Sequence, residues 1–200
     1  MSELTNTRWD RTASLWGRSA VILLLVLLSI PFFTRNIIRL GDYDYFLHKP
    51  LLVIHEAGHV IFGIVGNELL MVLGGSLMQV LMPLILMIAF LWKRDFFAAA
   101  AMCWWAGQSL VDVAPYINDA RMLQLPLLGG GTGREIEGHD WEFILTRLGC
   151  LNADIYLARG VLAAGRAWML MALAWAATVL ALQWRKNAAA GTGRPVVLRK

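Results

Sequence analysis

LLVIHEAGHVIFGIVG, residues 51–66, is apolar except for His55, Glu56 and His59, and no proline or run of turn-forming residues interrupts it. Such a stretch predicts a helix over about residues 51–65. Residues four apart on a helix share a face, so His55 and His59 project together, close enough to hold one zinc ion through two neutral imidazole nitrogens. Glu56 follows the first histidine directly, which sets its carboxylate beside the metal. There it can act as the general base on a zinc-bound water, and the expected reaction is peptide-bond hydrolysis.

The setting adds to the motif. In a soluble helix, two histidines and a glutamate at this spacing arise by chance as surface or satisfied core residues. Inside an apolar segment a central charge costs about 2.5–3.5 kcal/mol on insertion scales, so a glutamate there calls for a binding partner.

Outward from this helix the chain continues in the same character. It has 200 residues, 58% of them hydrophobic. Residues 19–34, 69–92 and 96–111 carry no charge, and a fourth apolar run, 167–184, extends backwards if Arg166 snorkels or faces a protein interior. Each is of a length to cross or nearly cross a hydrocarbon layer of about 30 Å. With the motif helix they predict an all-α, polytopic membrane protein of about five transmembrane helices. No small-residue cleavage pattern follows the first run, which reads as a retained helix rather than a secretory leader. Lys93-Arg94 and Arg185-Lys186 flank apolar runs, so the net charge of +4 reads as membrane flanks in contact with a lipid bilayer, and no nucleic-acid partner is expected. The two cysteines, Cys103 and Cys150, make neither a disulfide framework nor a cysteine metal site.

Local signals divide the rest. The Gly74-Gly75 pair predicts a short re-entrant segment ahead of a helix over about residues 76–92. A glycine-rich loop is expected over 122–138, then a short helix in HDWEFILTRL with Asp140 as its N-cap and Gly149 as its stop. Residues 1–184 form one membrane-embedded domain, and 185–200 read as a basic, flexible tail.

A catalytic zinc site needs a third protein ligand. The chain has four histidines, too few for the di-iron boxes of histidine-rich membrane oxygenases, so carboxylates come into question. Gln108, Asp112, Tyr116 and Asp119 form one polar stripe on an otherwise apolar helix and should face protein rather than lipid. Asp112 lies deepest in the apolar segment and is the first candidate, its alternative being a buried carboxylate hydrogen-bonded to Gln108 or Tyr116. Asp119, with Arg121 two residues on, and His139, carried by the glycine loop, are the competing third ligands.

With these residues in place the chain resembles the site-2 protease family, intramembrane zinc metalloproteases that pair an HExxH helix with an aspartate ligand from a later helix. The resemblance covers about residues 51–121 and marks a divergent, minimal member without a visible PDZ-like insertion. It implies that His55 and His59 are metal ligands, that Glu56 is catalytic and that the substrate is a peptide or a transmembrane-helix protein. The family's second motif has Asn, then Pro, then Asp-Gly. APYINDA departs from it, with Pro115 four residues ahead of Asp119 and Ala120 in place of the glycine, which leaves Asp112 and Asp119 both open. The corresponding location is a bacterial-type inner or plasma membrane. The alternative reading is a non-proteolytic zinc-binding membrane protein that acts through a partner.

Overall fold

The computed structural model describes residues 8–128 and 130–192, and among them the chain is all-helical, with one isolated β-bridge between Pro126 and Thr132. In order the helices are α1 (Arg8–Thr34), α2 (Ile37–Leu40), α3 (His48–Gly63), α4 (Glu68–Trp92), α5 (Phe96–Asn118), α6 (Asp140–Arg147) and α7 (Asp154–Thr192), with a 3₁₀ turn at Leu151–Ala153 ahead of α7.

The axis of the fold is α5, packed along α7 on one side and α4 on the other. Small residues set these crossings. A Cβ on Gly107 of α5 would stand 2.9 Å from the backbone nitrogen of Met169, and one on Gly165 of α7 would stand 2.8 Å from the carbonyl of Gly107. The two backbones therefore touch directly. Phe32, Leu40, Trp104, Val111, Leu162 and Met169 fill the core around them. The Trp104 indole N–H donates to the Ser29 hydroxyl at 2.9 Å and ties α5 to α1.

Among the described residues three helices are long and apolar enough to cross a membrane: Ala13–Thr34 in α1, α4, and Leu151–Ala189 including most of α7. The expected helices over 51–65 and from residue 96 exist but are not among them. With 16 residues, α3 is about 24 Å long, shorter than a bilayer core. On α5, Phe97, Trp104, Gln108, Asp112 and Ile117 are among the many residues the surrounding helices cover. Much of α5 thus faces protein.

Two further expectations are corrected. The Gly74-Gly75 pair does not produce a re-entrant segment, because α4 runs unbroken from Glu68 to Trp92 with both glycines buried within it. Its first turn is capped by Asn67, whose side chain accepts from the Leu70 N–H at 3.0 Å. The tail expected to lack fixed structure begins as helix, since α7 continues to Thr192, and 193–200 lie outside the described residues. Arg166 does face the interior: its guanidinium donates to the carbonyls of Phe32 and Arg35, each at 2.7 Å, and so closes the C-terminal end of α1.

Candidate metal centre

His55 and His59 lie one turn apart on α3 with their rings at a centroid distance of 4.8 Å. Each ring is fixed from behind. The Nδ1 of His55 lies 2.7 Å from the Gln79 Oε1 of α4, and the Nδ1 of His59 lies 3.0 Å from the Met71 carbonyl. A carbonyl accepts only, so the Nδ1 of His59 carries a proton, and its Nε2 is the nitrogen turned forward.

Both Nε2 atoms point at the same carboxylate, that of Asp140 on α6: its Oδ2 is 2.8 Å from the Nε2 of His55 and 3.3 Å from that of His59. One ligand atom from each residue falls within 4.8 Å of the others, and the group could hold a metal ion. Metal–nitrogen bonds of about 2.0–2.1 Å in a tetrahedron place ligand atoms about 3.3–3.4 Å apart, so a small opening of the group admits an ion. The backbone has left room for it. A Cβ on Gly75 would fall 2.6 Å from the Nε2 of His59 and closer still to that of His55. Its absence forms the cradle in which the two imidazoles sit.

Asp140 reaches this point because α6 is docked by its neighbours. The backbone N–H of Asp140 donates to the Tyr116 hydroxyl at 3.0 Å, and the Trp141 indole N–H donates to the Ser76 hydroxyl at 3.0 Å, next to Gly75. Burial pushes the Asp140 carboxyl upward, but hydrogen bonds from His55 and His59 outweigh it and hold the group below the ordinary carboxylate range. It is therefore an ionised, acceptor-only oxygen donor.

The expected third ligands lie elsewhere. Asp112 is buried, and its carboxylate accepts from the Tyr45 hydroxyl at 2.6 Å, from the Nδ1 of His48 at 3.1 Å and from the Gln79 amide at 3.0 Å. Its partners are not the Gln108 or Tyr116 of the alternative reading. Asp119 ends α5, and its two oxygens accept from the backbone N–H groups of Gln124 and Leu125 at 3.0 and 2.8 Å, which folds the start of the loop back on the helix. Burial raises the Asp119 carboxyl, while His139 and the two N–H groups lower it more, to a net value below the usual range. His139, not Asp140, is the N-cap of α6: its Nδ1 accepts from the Glu142 N–H at 3.2 Å, and its Nε2 lies 3.5 Å from Asp119. Both nitrogens are thereby turned from the metal group. Gly149, at φ +68°, stops α6 as expected.

Glu56 lines a cavity of about 350 Å³ beside the histidines, together with His48, Gln79 and Asp112. Leu52, Val113 and an apolar strap of the loop, Leu125 to Leu128, also line it. Among the described residues the Glu56 carboxylate has no hydrogen-bond partner, which leaves it available to a group entering the cavity.

Sequence reasoning missed Asp140 because an aspartate at the head of a short amphipathic helix reads as a cap. The available signal was its neighbourhood, a histidine and a tryptophan at the end of a glycine loop. Comparison of the chain with family models, with curated proteins and with solved structures finds no match.

Proposed function

We propose that this chain is a membrane-embedded zinc metalloprotease, with His55, His59 and Asp140 as metal ligands and Glu56 as general base. The observation that carries the reading is the convergence of two imidazoles and one ionised carboxylate beside a cavity that Glu56 lines. Two nitrogens and one carboxylate oxygen make the open, three-ligand set of a hydrolytic zinc site. When bound, the zinc supplies Lewis acidity toward a water and a scissile carbonyl.

The chain's own residues do the rest. Glu56 accepts a proton from the attacking water as its oxygen bonds to the carbonyl carbon. The same carboxyl then returns the proton to the leaving nitrogen as the C–N bond breaks, which yields an acid and an amine. Leu52, Val113 and the strap from Leu125 to Leu128 present apolar surface to the peptide and limit the water that reaches it. This lining suits an apolar, extended segment such as an unwound stretch of a transmembrane helix. Three described helices long and apolar enough to cross a membrane are compatible with a bilayer in which such a segment would be met.

The likeness to site-2 proteases rests on the HEAGH helix, and the third ligand proposed here departs from that family's pattern, coming from α6 rather than from an aspartate on α5. The test is Glu56→Gln in the full-length protein in detergent, assayed on a transmembrane-helix peptide and on a soluble peptide library. Cleavage should disappear while one zinc per chain remains. Retained cleavage overturns the mechanism. Zinc in the wild type without cleavage of any peptide favours the non-proteolytic alternative.

A further inference from the structure

Asp112 is 2% exposed and bears a charge at the middle of the fold, yet it is not positioned to bind the metal. Its hydrogen bonds give it another task. We propose that Asp112 holds His55 in its metal-binding orientation through the side-chain amide of Gln79, which makes Asp112 and Gln79 positioning residues for the zinc site. The inference rests on the reading of His55, His59 and Asp140 as metal ligands.

The logic follows from which atoms can donate. An ionised carboxylate only accepts, so the Gln79 group 3.0 Å from the Asp112 Oδ2 must be the NH₂. The amide cannot turn without placing its carbonyl against that carboxylate. Its Oε1 is therefore directed at the Nδ1 of His55, 2.7 Å away, and being an acceptor it requires a proton there. With Nδ1 committed to Gln79, Nε2 is the nitrogen left to face the group shared with His59 and Asp140, where it donates to the Asp140 carboxylate until a metal takes the place of that proton. Outer partners of this kind fix ring orientation and commonly govern metal affinity by 10–100-fold.

The first member of the chain is itself held firmly. The Tyr45 hydroxyl donates to the Asp112 Oδ1, the Nδ1 of His48 lies 3.1 and 3.2 Å from Oδ1 and Oδ2, and Oδ2 also accepts from Gln79. Tyr43 stacks on His48 with ring centroids 3.9 Å apart, and its hydroxyl donates to the Asp112 carbonyl at 3.2 Å. Tyr43 does this from φ +47°, a left-handed conformation that a bulky residue adopts only where its surroundings impose it.

The arrangement predicts an inversion and a rescue. In Asp112→Asn the side-chain oxygen keeps Tyr45 and His48, and its NH₂ faces Gln79. The Gln79 amide then turns, its NH₂ meets the Nδ1 of His55, and Nδ1 gives up its proton, so the ring's remaining proton is held on Nε2, where it competes with the metal. Adding Gln79→Glu restores the chain, because the Asn NH₂ donates to one glutamate oxygen and the Nδ1–H of His55 to the other.

The experiment is zinc affinity by chelator competition on the full-length protein in detergent, with ¹⁵N-histidine spectra of the zinc-free form. Asp112→Asn should weaken zinc about 10–100-fold and remove the proton from the Nδ1 of His55, and the double variant should return to within about threefold of wild type. Gln79→Met, which leaves Asp112 with Tyr45 and His48, should show the same loss of affinity. Wild-type affinity in Gln79→Met, or a double variant as weak as Asp112→Asn, overturns the proposal. Absence of zinc from the wild type overturns the metal reading instead, and the His55 tautomer in the spectra then decides the relay separately.

Discussion

Gly75→Ala is the sharpest probe of the site, since it adds one methyl group and no charge. An alanine Cβ there stands 2.6 Å from the Cδ2 of His55 and 2.6 Å from the Nε2 of His59, against an optimum of about 3.5–4.0 Å for non-bonded heavy atoms. The overlap of about 1 Å forces at least one imidazole to turn, which breaks its Nδ1 bond to Gln79 or to Met71. Overpacking of this kind costs about 1–3 kcal/mol, and removing a glycine from a helix interior returns about 1 kcal/mol. The net loss of stability is thus about 0–2 kcal/mol, and the chain still folds. The metal site fares worse, because loss of an outer partner alone weakens a metal 10–100-fold, and here a ligand itself is displaced. Zinc affinity should therefore fall by about 100-fold or more, measured by chelator competition beside a thermal melt in the same detergent. A variant with wild-type zinc affinity and an unchanged melt would refute the placement of α4 against the two imidazoles.

The other expectations concern single contacts. Asp140→Ala should leave the purified protein without stoichiometric zinc at micromolar free metal, whereas His139→Gln should keep it and lose about 1 kcal/mol of capping energy; equal zinc content in both counts against Asp140 as ligand. Arg166→Met removes two charged hydrogen bonds to the end of α1 and should lower stability by about 2–4 kcal/mol, read from the thermal melt. Gly165→Val drives a side chain into the Gly107 carbonyl and should destabilise by about 2 kcal/mol or more while the zinc affinity of the folded fraction stays unchanged.

The parts of this protein that could be read from the sequence are those set by local periodicity. The helix carrying His55, Glu56 and His59 and the stop at Gly149 follow from residue types within a few positions of one another, whereas the choice of Arg166 between snorkelling and facing the interior is made by the distant carbonyls of Phe32 and Arg35. The proposed third ligand, Asp140, could not be found this way, because it lies far along the chain from His59 and the contacts that dock it, Tyr116 to Asp140 and Ser76 to Trp141, are tertiary. Asp112 misled for a physical reason as well. A buried carboxylate in an apolar helix needs compensation, but donors from Tyr45, His48 and Gln79 compensate it as a cation would, and spacing alone does not distinguish the two. Gly74-Gly75 suggested a broken helix where the glycines in fact permit close approach. A helix needs no side chain at a crossing, and Gly58 of α3 meets the Gly74 carbonyl there with no room for a Cβ on either residue.

This construction couples the metal to the loop. Two ligands stand on α3, buttressed by α4, while the third stands on α6, which is held by single hydrogen bonds to Tyr116 and Ser76 and by the Asp119 cap on the loop's first turn. A ligand on α5 would have been fixed whether or not metal was present, since that helix is buried along most of its length. Asp140 is fixed only when α6 is docked, so an ion bridging α3 and α6 adds its binding energy to that docking. The strap from Leu125 to Leu128 lies on the same connection between α5 and α6 and lines the Glu56 cavity. On the proposed reading, loading the metal would therefore also stabilise the position of the strap.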